Sequence, residues 1–116
     1  MKIRPERVAQ RMRREVADIL ENRLRDPRVT GLVSVTDVEV NHDLTLAKVY
    51  VSVLAPEEQA LKTLQALEHA APFVRHELAP RLGLREMPEV RFARAPAIQT
   101  RARIEELLRR LRDGAP

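Results

Sequence analysis

Residues 33–54, VSVTDVEVNHDLTLAKVYVSVL, decide the fold. In the second half Ala47, Val49, Val51 and Val53 recur at every second position with Lys48, Tyr50 and Ser52 between them. That period predicts a strand with one buried and one wetter face. Val33, Val35, Val38 and Val40 form an earlier β-branched run, and Asn41, His42 and Asp43 between the runs are turn chemistry, so the pair reads as a β-hairpin. The apolar positions change parity between Val35 and Val38, which predicts either a bulge or a strand touching protein on both faces. Two strands alone are marginal in water, so other segments must cover the valines.

Both flanks are helical in pattern. Residues 6–25 place Val8, Met12, Val16, Ile19, Leu20 and Leu24 on one face, with Pro5 at a tolerated first turn and Asp26-Pro27 ending the segment. After the hairpin, Pro56, Glu57 and Glu58 open a second helix whose stripe is Leu61, Leu64, Leu67 and Ala71. Pro72 interrupts it, and Phe73, Val74, Leu78 and Leu82 resume in a changed register up to Gly83. The reading is two helices joined at a kink over Ala70, Ala71 and Pro72, with both phenylalanines in the core. Residues 88–94, PEVRFAR, make a short third strand, and the long crossover favours a mixed sheet. A last helix carries Ile104, Leu107, Leu108 and Leu111, with Thr100 as N-cap. The order is α-β-β-α-(kink)-α-β plus a C-terminal helix, an α+β class with a three-stranded sheet and helices on one face.

The chain of 116 residues fits one domain, 1–116, with a single core. Whether the terminal Arg112–Pro116 segment is ordered is left open by the sequence. No cysteine is present, which excludes disulfides and thiolate metal sites. There is no run of about 18 apolar residues and no signal-peptide pattern, so a soluble, cytoplasmic protein without a membrane role is expected. The net charge of +4 is uneven: residues 1–28 and 75–116 each sum to +4, and residues 29–74 to −4. If the fold brings the two basic ends together, they present a positive face to a polyanion. Eighteen arginines against three lysines also fit a charged, heat-adapted surface.

Signals of catalysis are weak. Gly31, Gly83 and Gly114 form no phosphate-cradling loop, and His42, His69 and His76 have no partners at metal or triad spacing. No cofactor, metal site or small-molecule substrate is indicated. Tyr50, Phe73 and Phe92 are the only aromatics, too few for a base-stacking platform. What remains is phosphate contact through arginine, whose planar guanidinium is always charged. Arg7, Arg11 and Arg14, at i, i+4 and i+7, form a ridge away from the core of the first helix. Arg75, Arg81, Arg85, Arg91 and Arg94 are expected to form one patch with them, although Glu15 and Asp18 are close enough in sequence to pair with the ridge.

The element order resembles a KH fold of the second type. RVAQRMRREVADIL at 7–20, DPR at 26–28, VSVTDVEVNHDLTLAKVYVSVL at 33–54, FVRHELAPRLGLREMPEVRF at 73–92 and RIEELL at 103–108 resemble bacterial ribosome-binding factor A. Asp43-Leu44 and Ala47 to Val51 are the most specific part. The resemblance implies a monomeric, non-enzymatic maturation factor that binds the free small (30S) ribosomal subunit and its 16S rRNA late in assembly, assists rRNA processing and supports growth in the cold. Two positions depart from the family. Ala70, Ala71 and Pro72 stand where an Ala-x-Gly kink replaces the KH GxxG loop, and Ala95, Pro96 and Ala97 stand where an Asp-x-Ser segment is common. A backbone phosphate contact at the first and a polar contact at the second are therefore not carried over. A nonspecific DNA-binding nucleoid or regulatory protein also satisfies the charge pattern, without helix-turn-helix spacing to support it. A third reading is a protein-interaction domain whose valine-rich sheet edge pairs with a partner strand.

Overall fold

The computed structural model describes residues 4–29 and 31–114; Ala115 and Pro116, the end of the tail, lie outside the described residues. The elements are α1 (Pro5–Asn22), β1 (Leu32–Val40), β2 (Leu46–Leu54), α2 (Glu57–Leu82), β3 (Glu89–Arg94) and α3 (Ala97–Arg112). β1 pairs antiparallel with β2, and β2 parallel with β3, in the order β1-β2-β3. This is the mixed sheet expected of a hairpin followed by a helical crossover.

The hairpin register explains the parity change. Val33 faces Val53 and Val35 faces Val51, the ladder shifts between Val35 and Asp37, and Val38 then faces Val49 while Val40 faces Ala47. Thr36 is the extra residue of a bulge, so all four β1 valines point to one side. At the tip, Asn41 Oδ1 accepts the N–H groups of Thr45 and Leu46, both at 2.9 Å. Leu44 sits there at φ 61°, and its side chain packs against the core.

α1 and α2 cover the valine face. α1 buries Val8, Met12, Val16 and Ile19 as its periodicity predicts. It ends at Asn22, short of residue 25, because Asp26 organises the next turn instead. Its carboxylate accepts the Arg28 N–H at 2.9 Å and pairs with the Arg28 guanidinium at 2.8 Å. The Arg28 side chain, more than its N–H, holds the Asp26 carboxyl down to about 2.

α2 corrects the expected pair of helices. It runs unbroken from Glu57 to Leu82 with Pro72 and Pro80 inside. Ala60, Thr63, Leu67, Ala71, Val74 and Leu78, buried together with Ala66, step by three or four through Pro72 without a change of register. Leu61 and Phe73, expected inside, are 49% and 41% exposed, whereas Phe92 is buried. The small Ala60 and Thr63 allow the helix to lie close to its neighbours.

α3 corrects two further expectations. It begins at Ala97, so Thr100 lies within its first turn and is not the N-cap. It also stands on the other side of the sheet from α1 and α2. Ser52 alternates with Val51 and Val53, and its hydroxyl, 2.9 Å from that of Thr100, is covered by α3. The Thr36 hydroxyl lies 2.8 Å from Gln99 Oε1, and Arg103 Nε donates to Ser34 Oγ at 3.1 Å. α3 buries no side chain, and Ile98, Ile104, Leu108 and Leu111 are exposed. It is held to the sheet mainly by polar contacts.

Candidate nucleic-acid interface

α1 and the end of α2 build the surface that matters most. Val8 and Met12 turn inward, so Arg7, Arg11 and Arg14 project along the outer side of α1, all exposed. α2 stops against them: Gly83 takes the left-handed backbone, φ 63°, and its N–H returns to the Ala79 carbonyl at 3.2 Å. A groove of about 590 Å³ results, lined by the three arginines with Gln10 on one side and by Leu82, Gly83 and Leu84 on the other. Arg85 follows directly.

Two arginines join the helices. Arg11 Nη2 donates to the Arg81 carbonyl at 2.7 Å, placing a cation on the C-terminal end of α2, where the helix dipole is negative. The Arg81 guanidinium reaches back to Glu15 at 3.1 Å and Asp18 at 2.6 Å. That hydrogen bond holds the Asp18 carboxyl below its ordinary value, with Asn22 assisting. Arg81 is therefore occupied within the fold.

The remaining expected arginines divide by the same test. Arg75 donates to the carbonyls of Pro88 at 3.0 Å and Met87 at 2.8 Å, fixing the approach to β3. Arg91 pairs with Glu68 at 3.3 Å, and Arg94 holds Glu57 with two bonds of 2.6 and 2.8 Å. The Arg94 hydrogen bond lowers the Glu57 carboxyl in turn. Arg94 meets the start of α2 and Arg81 lies in its last turn, about 36 Å apart at the α-helical rise. The eight arginines thus spread along the length of α2 and do not form one compact patch. Among the described residues, Arg7, Arg14 and Arg85 have neither a side-chain hydrogen bond nor an ion pair.

The sequence matches the family described as Ribosome-binding factor A over residues 4–108. The chain belongs to the ribosome-binding factor A family. It is 43% identical over 105 residues to the ribosome-binding factor A of Acetivibrio thermocellus, covering 90% of this chain and 85% of that protein. The crystal structure of ribosome-binding factor A from Thermus thermophilus superposes with a TM-score of 0.67 at 28% identity, over 79% of this chain and 97% of that one. A Thermus thermophilus RbfA homology model fitted into the cryo-EM map of a 30S–RbfA complex gives a TM-score of 0.61 at 31% identity, over 76% and 94%.

Within this chain the two basic ends meet only in part. The segment around Arg81 and Arg85 joins α1, whereas Arg101, Arg109 and Arg112 of α3 are exposed and belong to the opposite side of the sheet. These α3 arginines lie outside the eight expected ones, and the signal for them is their number on one helix. Near Pro72, a groove of about 420 Å³ lined by Arg75 and Arg91 also holds Glu68 and Glu89, which offset its charge. Among the described residues no cluster of three or more His, Asp or Glu side chains is arranged to hold a metal ion, and no helix is long and apolar enough to cross a membrane.

Proposed function

We propose that this protein is a cytoplasmic maturation factor that binds the free small ribosomal subunit through phosphates of its 16S rRNA, late in assembly. The observation that carries the reading is the set of exposed arginines, Arg7, Arg14 and Arg85 with Arg11 beside them, gathered where α1 meets the end of α2 and left without carboxylate partners. Phosphate contacts position a protein on nucleic acid without reading its sequence, so specificity rests on the shape of the folded rRNA. The RbfA of the 30S–RbfA complex, similar over most of both chains, supports the choice of subunit. Binding one rRNA arrangement more tightly than its alternatives shifts the subunit toward it, and this is the route by which the protein assists rRNA processing and growth in the cold. Co-sedimentation of the purified protein with free small subunits, large subunits and joined ribosomes, at two salt concentrations, tests the proposal. Selective, salt-sensitive travel with free small subunits is expected. Equal travel with every fraction, or comparable affinity for duplex DNA, defeats it.

A further inference from the structure

The two edges of the sheet are treated differently. Along β3, the Glu68 carboxylate accepts the Phe92 N–H at 2.7 Å, and Arg91 lies against the same carboxylate. β1 has no such cover between Leu32 and Thr36: among the described residues, no side chain and no loop backbone bonds the main chain of these five residues. The segment is uncharged, whereas Asp37 and Glu39 follow the bulge, and charge is what ordinarily blunts an edge. Val33 and Val35 are only half-buried, although their cross-strand partners Val53 and Val51 are buried on the same face. α1 stops short of covering the edge.

What lies there is a groove of about 700 Å³, with α1 as one wall and α3 as the other. Its charges are ordered. Arg13 lines a cleft with Val35, Gln99 meets Thr36, and Arg103 meets Ser34, so the Thr36 end is basic. Glu21, two turns after Arg13, and Glu106, one turn after Arg103, place acid at the Leu32 end. Glu106 is matched by Arg103 and Arg110, but Arg13 and Glu21 have no partner among the described residues.

We propose that the β1 edge from Leu32 to Thr36 receives an extended segment of a protein partner, added as a fourth, antiparallel strand with an acidic N-terminal end at Arg13 and a basic C-terminal end at Glu21. Main-chain hydrogen bonds to the open edge supply affinity, apolar side chains complete the cover over Val33 and Val35, and the ordered charges fix the direction. A second copy of this chain does not fit the same groove. Paired antiparallel, its Asp37 and Glu39 would fall at the Glu21 end, acid against acid.

The test uses the isotopically labelled full chain and two acetylated, amidated peptides, ETVTVTK and KTVTVTE, whose valines share a face with the terminal charges, titrated to millimolar concentration by NMR. ETVTVTK is expected to move the amides of Leu32–Thr36 and of the facing turns of α1 and α3, and to bind about fivefold more tightly than KTVTVTE, as in the antiparallel register two exposed charge pairs change sign. The double variant R13E/E21R, which keeps the net charge, is expected to reverse that preference. Both positions are exposed, and both lie outside the groove formed by α1 and the end of α2. Travel with small subunits should therefore persist in the variant, which separates this proposal from the rRNA reading. Absence of shifts at β1, equal binding of the two peptides, an unreversed preference, or concentration-dependent β1 shifts in the protein alone would overturn it.

Discussion

Gly31 and Gly83 both hold a left-handed backbone, at φ 80° and 63°, yet their surroundings differ. A Cβ on Gly83 would meet nothing within 4 Å, while one on Gly31 would lie 2.9 Å from both the Ala55 Cβ and the Leu54 carbonyl oxygen. Gly83→Ala therefore incurs only the backbone term, about 1 kcal/mol. Gly31→Ala adds a clash with main chain that no side-chain rotation relieves, for a total of roughly 3 kcal/mol. Urea unfolding of the two variants checks the ranking; equal losses would mean that the chain before β1 shifts freely. The sequence marks Gly83 as a helix cap but gives no reason for Gly31, because its close neighbours, Leu54 and Ala55, come from the far end of the hairpin. The same limit applies to Arg81. It reads as one more surface cation until the fold brings Glu15 and Asp18, more than sixty positions earlier, against it.

The hairpin was legible because a period of two over nine residues of β2 has one reading, and the bulge because only an inserted residue or a second buried face reconciles Val35 with Val38. α2 was misread for an equally physical reason. Proline disrupts a helix locally by roughly 3 kcal/mol, but burial of Leu67, Val74 and Leu78 on either side of Pro72 supplies about 1.5–3 kcal/mol each and outweighs it. The pattern was then phased on the large Leu61 and Phe73 instead of the small Ala60 and Thr63. A consequence follows for the element. Pro72 is exposed and leaves the Glu68 carbonyl without its helical N–H, so Pro72→Ala restores a bond and removes a steric conflict while disturbing no packing. Offset by a looser unfolded chain, the expected gain is about 1–2 kcal/mol in chemical denaturation. A loss would mean that the proline sets a bend on which α2 depends. α3 was legible as a helix from the spacing of its leucines, and spacing alone does not say what, if anything, they meet.

At the scale of the whole molecule, charge was legible as a total and not as a surface. The sequence placed basic residues at both ends, but their use depends on which of them find carboxylates when the chain folds. Arg75, Arg81, Arg91 and Arg94 are engaged by carbonyls or acids, whereas Arg7, Arg14 and Arg85 are not. This sorting makes two opposite forecasts for two triple variants. Replacing Arg7, Arg14 and Arg85 with alanine removes exposed cations that hold nothing in the fold, so the unfolding midpoint should stay within the small range of surface substitutions. Its effect belongs in binding: each lost phosphate contact lowers the slope of log affinity against log salt by about 0.7–0.9, so three should flatten it by roughly 2. Replacing Arg75, Arg81 and Arg94 frees Glu15, Asp18 and Glu57 and releases the Met87 and Pro88 carbonyls. That triple should lower the unfolding midpoint while retaining most of the salt slope for small subunits. Denaturation curves and subunit affinities across a salt series, measured on both proteins, separate the two roles. If the second triple flattens the slope as much as the first, the internally paired arginines exchange their carboxylates for phosphates on binding, and the interface extends along α2 toward β3.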